Sequence, residues 1–379
     1  MSFDYNKYCS NYYNSKDIKD NKNMGSCLFQ NDTKDKNKST IKNRYYYENN
    51  AFSTDYCGIK NYCNNCYFIS GLQIMASCNE LVNELNKINN YGGIIYYLKD
   101  AIDSLLNKKI YDHENFLNYF CQKNTNTEFI QGIQCCSQDF IRTLIRNVNS
   151  EFLKEYDNSN IVYDNLKRCL QGNECIEYEK FIKQNNLYKE SKIQSLFSGI
   201  TKSYSSGTCK FCYKNIENIS FNFFIDINIY LDSIYGKCKF SDVLQSNFGI
   251  PGELTLECNF CKAENTIKSQ TYFIKLICTL ERNLGNPNKV PIILYNIINM
   301  GKYLDKYLKI DSAEYELFAI NIRLGSTINF GHEICYVKRN QIWYEISDTI
   351  GKKLGTELPN DYYYDSSYGL FNRKIKKWI

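Results

Sequence analysis

Cys66 closes the run Gly58-Ile59-Lys60-Asn61-Tyr62-Cys63-Asn64-Asn65 and precedes Tyr67-Phe68. An apolar-periodic stretch follows, through Ile74, Met75, Leu81 and Leu85. A loop holding Gly and Asn therefore runs into a helix with a cysteine at its start. The first N–H groups of a helix lack intrahelical partners, and the dipole is positive there. Both effects favour thiolate, the reactive species, so Cys66 is a candidate nucleophile. The alternative is a core thiol, one of eighteen cysteines in the chain. A cysteine nucleophile needs a base, usually histidine, and there are two, His113 and His332. His113, in Tyr111-Asp112-His113-Glu114-Asn115, reads as part of a solvated turn or helix start. His332 follows Gly331 at the mouth of an expected hairpin, Ile334–Val337 and Gln341–Ile346 around Lys338, Arg339 and Asn340. Ser347 and Asp348 follow the return strand and are placed to orient the imidazole.

A second constellation pairs Cys209-Lys210-Phe211-Cys212 with Cys258-Asn259-Phe260-Cys261. Four thiolates at this spacing suit one closed, tetrahedral structural zinc site. The two pairs meet only if the strands between them fold back on each other. Unmetallated cysteines at a degenerate site are the alternative.

The elements that must position these groups change along the chain. Residues 1–53 are rich in Asn, Lys, Asp and Ser, and are expected to be a disordered extension. From Cys66 to about Leu187 the signals are mostly helical, most clearly over Asp139–Val148, with Phe140, Leu144, Ile145 and Val148 on one face. From Cys209 onward strands dominate, over Ile219–Ile229, Thr271–Leu280, Pro291–Ile298 and Leu317–Ile322. Helices first and strands later make an α+β chain. No apolar run reaches transmembrane length, and no apolar signal core opens the sequence. We expect an intracellular protein, cytoplasmic and/or nuclear, with reduced thiols and no membrane partner. The formal charge of +5 is spread over dispersed lysines, so a nucleic-acid partner is not expected. Nothing in the sequence speaks for an oligomeric state.

The chain resembles the ubiquitin-specific protease family of deubiquitinases. The family's first box is matched by Gly58, Asn61, Asn64, Cys66, Tyr67, Ser70, Leu72 and Gln73. Its second box is matched by Tyr315, Leu317, Ala319, Gly331, His332, Tyr336, Trp343, Tyr344 and Asp348. Between them, Gln134, Asp139 and Phe140 stand in register with the family's Gln-Gln-Asp-Ala-x-Glu-Phe segment. The resemblance implies a papain-like cysteine protease fold with a helical thumb (about 54–200), zinc-tipped β fingers (about 201–265) and a β-sheet palm (about 266–379). The catalytic domain would span 54–379.

The resemblance further implies a thiol-dependent hydrolysis of the bond after the C-terminal glycine of ubiquitin, with ubiquitin and ubiquitinated proteins as partners. Cys66 would be the nucleophile and His332 the base. Asn61 would supply the oxyanion hole. The family usually carries Asp or Asn where this chain has Ser347, so either Ser347 or Asp348 is the third triad member. Cys63, Asn65, Ile69, Glu333 and Cys136 also depart from the pattern, Cys136 replacing an aspartate that helps hold ubiquitin's basic tail. An inactive or weak relative that binds ubiquitin or a ubiquitin-like modifier is the alternative. One structural zinc and no catalytic cofactor are expected.

Overall fold

Every residue of the helix that opens at Cys66 is buried, polar ones included. In the computed structural model this helix, α1 (Cys66–Ala76), is followed by α2 (Asn79–Leu85), α3 (Gly93–Leu106), α4 (Glu114–Lys123), α5 (Ser137–Glu155), α6 (Asn173–Gln184) and α7 (Lys192–Phe197). The structure describes residues 57–89, 92–125, 127–155, 167, 170–185, 187, 191–224, 227–229, 238–275, 279–282, 292–305, 313–324, 331–358 and 367–374. All belong to the unit Phe52–Ile379. The extension expected over 1–53 lies outside them.

A helix apolar on all sides belongs in a core, and α1 keeps its polar side chains bonded there. Ser70 Oγ donates to the Glu333 carbonyl at 3.1 Å, and Gln73 Nε2 to the Cys57 carbonyl at 3.1 Å. Gly71 admits α5 closely, since a Cβ at that position would lie 2.4 Å from the Phe140 ring. The expected helix over Asp139–Val148 is the middle of α5. In α3 the buried residues Ile94, Ile95, Leu98, Ala101, Ile102 and Leu105 form one stripe at helical spacing.

Strands begin with β1 (Gly199–Thr208), β2 (Asn215–Phe224), β3 (Ile227–Ile229) and β4 (Cys238–Lys239). After a short helix α8 (Phe240–Leu244) come β5 (Gly252–Glu257), β6 (Glu264–Lys275), β7 (Thr279–Arg282), β8 (Ile292–Ile293) and β9 (Ile297–Asn299). The last are β10 (Glu314–Leu324), β11 (His332–Arg339), β12 (Ile342–Ser347), β13 (Ile350–Gly355) and β14 (Ser367–Lys374). An antiparallel four-stranded sheet, β2-β1-β6-β5, forms the fingers, and an eight-stranded sheet, β13-β12-β11-β10-β14-β7-β3 with β9 beside β10, forms the palm. Two expected strands split. Ile219–Ile229 divides into β2, which pairs with β1, and β3, which pairs with β7 in the other sheet. Pro291–Ile298 divides into β8, paired with β4, and β9, paired with β10. Each split falls where the chain changes partner strands, which local composition does not record.

Strands β10, β11 and β12 are largely buried on both faces. Phe318, Ala319, Cys335, Val337, Tyr344 and Ile346 join the core of the thumb helices. Leu317, Ile320, Ile322, Ile334, Tyr336 and Trp343 pack on the other side with Phe240, Leu244, Phe273 and Tyr303. Among the described residues no helix is long and apolar enough to cross a membrane.

Candidate active site

Strand β11 docks on the start of α1. The β11–β12 ladder begins only at Cys335↔Ile346, so the Glu333 peptide is left to the helix. Its N–H donates to Cys66 Sγ, and its carbonyl accepts from Ser70 Oγ. Cys66 and Ser70 are four residues apart, on one face of α1. The nucleophile candidate thus sits against the residue that follows His332. Cys66 is 2 % exposed, and this decides its protonation. Burial pushes the thiol up to about 11; the Glu333 N–H pulls it down, the charges of Glu333 and Asp348 push it up, and the Tyr67 N–H pulls it down. The expectation of a resting thiolate at the helix start is therefore corrected. Desolvation of the charged form outweighs the helix-end N–H groups.

His332 Nε2 lies 2.8 Å from Ser347 Oγ and 3.8 Å from Asp348 Oδ2. Alternation along a regular strand would send Ser347 and Asp348 to opposite faces. Strand β12 ends at Ser347, however, and Asp348 has φ 52°, so the chain turns and both side chains reach the imidazole. Asn61 Nδ2 donates to the Asp348 carboxylate at 3.2 and 3.3 Å, and Asn61 Oδ1 accepts from the Asn65 N–H at 3.0 Å. Burial raises the Asp348 carboxyl above its ordinary range, while the His332 charge and the Asn61 amide draw it back. The Ile59 N–H donates to the Asp348 carbonyl at 3.0 Å. A Cβ on Gly58 would lie 2.4 Å from Thr349 Cα, so glycine is what lets the loop before Cys66 lie flat on this turn. The structure therefore brings Cys66, Asn61, His332, Ser347 and Asp348 into one region, between the start of α1 and the ends of β11 and β12. The hairpin is tighter than expected. Its turn is Asn340–Gln341, both at positive φ (49° and 65°), with paired strands reaching Arg339 and Ile342.

His113 is not solvated. It is fully buried at the start of α4, stacked on Tyr62 with centroids 5.5 Å apart and tilted against Phe68 at 5.7 Å. Burial pushes its pKa down to about 4, against the Asp112 charge, which pushes up. Asn65 Nδ2 faces its Nε2 at 3.4 Å. It supports the loop before Cys66 from beneath, and the neighbouring Tyr111 and Phe116 were the sequence signal for that.

The four cysteines of the two Cys-x-x-Cys pairs converge at the outer end of the fingers, their Sγ atoms all within 4.8 Å of one another. Cys209 and Cys261 Sγ are 3.5 Å apart, and Cys212 and Cys258 Sγ 3.6 Å. Zn–S bonds near 2.3 Å at tetrahedral angles put sulfurs about 3.8 Å apart, so the donor set fits a zinc ion. The two knuckles share one backbone pattern. Cys209 N–H donates to the Lys214 carbonyl and Tyr213 N–H to the Cys209 carbonyl; Cys258 N–H and Lys262 N–H do the same with the Ala263 and Cys258 carbonyls. Tyr213 and Lys262 share a left-handed φ, 58° and 60°. The apolar cluster at this end holds little besides Cys209, Cys258, Ile216 and Ile267.

Residues 57–371 match the family model described as ubiquitin carboxyl-terminal hydrolase. The chain belongs to that family. Among curated protein sequences none matches it. Its fold is similar to a SAGA DUB module, Ubp8/Sgf11/Sus1/Sgf73, solved bound to monoubiquitin (TM-score 0.62, 17% identity, 84% of this chain and 68% of that chain). The yeast SAGA DUB module with a Sgf73 mutant gives a TM-score of 0.61 at 17% identity, over 84% of this chain and 68% of that chain. The module bound to ubiquitin aldehyde gives 0.60 at 17% identity, over 84% and 69%. At this identity the likeness speaks for the fold.

As a ubiquitin carboxyl-terminal hydrolase family member, the chain shows its departures in place. Cys136, where the family has an acid, is buried, with its Sγ donating to Gln138 Oε1 at 2.7 Å. Asp139 pairs with Arg142 one turn on, at 2.5 Å. Glu333 is 1 % exposed and accepts from Ser137 and Asn321. Gln134 Nε2 donates to the Gly331 carbonyl, and Gln134 Oε1 accepts from the Gly331 N–H at 3.1 Å. In the sequence, Gln134 and Glu333 stand out only against the family pattern. A glutamate heading the apolar run Ile334-Cys335-Tyr336-Val337 was a signal of a buried acid that must find donors.

Proposed function

We propose that this chain is a thiol-dependent deubiquitinase that hydrolyses the isopeptide or peptide bond after the C-terminal glycine of ubiquitin. The observation that carries this reading is that Cys66 Sγ sits on the N–H of Glu333, the residue after His332, while His332 Nε2 lies 2.8 Å from Ser347 Oγ and 3.8 Å from Asp348 Oδ2. Family membership agrees with it. The thiol rests protonated, so His332 removes its proton as Sγ attacks the glycine carbonyl carbon. Negative charge then builds on the carbonyl oxygen. Asn61 Nδ2 carries two hydrogens; donation to Asp348 orients the amide and leaves the second for the oxyanion. The tetrahedral species collapses, the C–N bond breaks, and the leaving lysine amine takes the proton from His332. Water, deprotonated by His332, then cleaves the thioester and restores Cys66. Ser347 fixes the ring through its hydroxyl, and the Asp348 carboxylate stands 3.8 Å from the same nitrogen.

Cys209, Cys212, Cys258 and Cys261 would hold one zinc ion, which supplies a cross-link between two hairpin ends that lack a core of their own. Four thiolates leave no open position for substrate, so its role is architectural. Family membership speaks for ubiquitin and ubiquitin conjugates as partners, and the dispersed lysines offer nucleic acid no concentrated basic face. The reduced thiols expected of a chain with eighteen cysteines suit an intracellular setting, cytoplasmic and/or nuclear. The second reading is a weak or inactive relative that binds ubiquitin or a ubiquitin-like modifier, and the uncharged Ser347 favours it.

A ubiquitin bearing a C-terminal thiol trap decides between them. It should label the protein at one cysteine, and Cys66→Ala should abolish labelling while ubiquitin binding persists. Labelling that survives in the variant removes Cys66 from its role; binding with no labelling of the unaltered protein favours the second reading.

A further inference from the structure

His332 opens strand β11, paired to Leu324 at the very end of the β10–β11 ladder. Strand ends are weakly restrained, and no β12 partner meets β11 before Cys335. Yet a base must be held to within a fraction of an ångström of its productive position beside the nucleophile. The restraint comes from outside the sheet, from residues 134–137 just before and at the start of α5.

On one side of His332, the Gln134 amide grips the Gly331 peptide at both its N–H and its carbonyl. On the other side, Glu333 sends its carboxylate to the N-terminus of α5. There Oε2 accepts from the Ser137 N–H at 3.0 Å and from the Ser137 hydroxyl. Asn321 Nδ2 adds a donor at 3.2 Å, and Arg323 pairs with Oε1 at 3.4 Å. All four groups are donors or cations, and the helix end is positive, so the site is built for a carboxylate. Burial pushes that carboxyl up, and the Ser137 hydrogen bond, the Arg323 charge and Asn321 pull it down. Ser137 Oγ also lies 2.9 Å from the Tyr67 carbonyl, one residue past Cys66. The two residues flanking His332 are thus tied to one short segment, whose Ser137 hydroxyl shares its single hydrogen between the Glu333 carboxylate and the Tyr67 carbonyl of α1.

We propose that Gln134 and Glu333 are positioning residues that set His332 against Cys66, Gln134 through the Gly331 peptide and Glu333 through Ser137. This rests on the reading of His332 as the base. Neither side chain touches the reacting atoms. Their effect is on the placement of the imidazole relative to Cys66, Ser347 and Asp348.

The test measures kcat and KM on a fluorogenic ubiquitin C-terminal amide, beside the folded fraction, with the full chain carrying Gln134→Ala, Glu333→Gln or His332→Ala. Gln134→Ala should lower kcat by about 10²-fold, the cost of an ångström-scale misplacement, with KM within about twofold. The loss should remain when kcat is expressed per folded molecule. Glu333→Gln turns an amide N–H₂ toward the donors and should act in the same direction. A merely structural loss lowers activity only in proportion to the folded fraction; that result in the half-buried Gln134→Ala overturns the proposal even if Glu333→Gln fails to fold. An inactive His332→Ala with Gln134→Ala at unaltered kcat overturns this proposal alone. Turnover by His332→Ala overturns the assignment of the base, and this proposal with it.

Discussion

The Ser347 hydroxyl meets His332 Nε2 at 2.8 Å, at the residue where β12 ends. Asp348, one residue on, reaches the same nitrogen at 3.8 Å because its backbone has left the strand. Two side chains thus face one imidazole nitrogen. Ser347→Ala should lower kcat about tenfold with little change in KM, since orienting a base matters mainly in the transition state. Ser347→Asp should retain or raise kcat. Asp348→Ala releases both His332 and Asn61 and should cost more, about 10²-fold. Steady-state kinetics on a fluorogenic ubiquitin substrate ranks the three. A silent Ser347→Ala beside a dead Asp348→Ala would make Asp348 the sole orienter.

The Cys66 thiol, pushed up to about 11 by burial, should resist small electrophiles in the free protein. Iodoacetamide labelling of the Cys66 peptide, followed by mass spectrometry, should be slow at pH 7.5. It should climb about tenfold per pH unit above that, as thiolate accumulates. A rate already at its plateau by pH 7 would mean that a thiolate–imidazolium pair exists before substrate arrives.

His113 should make the fold acid-sensitive. Its folded pKa, pushed down to about 4 by burial, lies below the ordinary 6.5. Between those values the unfolded chain binds a proton that the folded one does not, so stability falls as pH drops below 6.5 and stops falling near 4. Going from pH 7 to pH 5 costs about 2 kcal/mol on this account. Urea unfolding at both pH values should show His113→Gln losing less stability than the unaltered chain over that interval. Equal losses would mean that the ring escapes its pocket on protonation.

The sulfur cluster at the fingertip should bring about one equivalent of zinc with the purified protein. Cys258→Ser removes one thiolate and should lower metal content and the fingers' thermal stability together. Metal analysis beside calorimetry reads both. A zinc-free preparation with unchanged unfolding and turnover would leave the knuckles without this role.

The sequence by itself determined what is local. A helix starting at Cys66 and the amphipathic α5 follow from apolar spacing, and the four thiols from two Cys-x-x-Cys pairs. The β character after Cys209 follows from Tyr, Ile and Phe, which fill pleated surfaces. Tertiary structure decided what depends on groups far apart in the chain. Burial overrode the helix start at Cys66 and hid His113 among aromatic rings, because desolvation is set by neighbours that no window contains. The change of sheet between β2 and β3 was hidden for the same reason. So was the turn that carries Asp348 to His332, because strand alternation holds only while the ladder lasts. The grip of Gln134 on Gly331 spans 197 positions, and only the folded chain brings that amide to the peptide it holds.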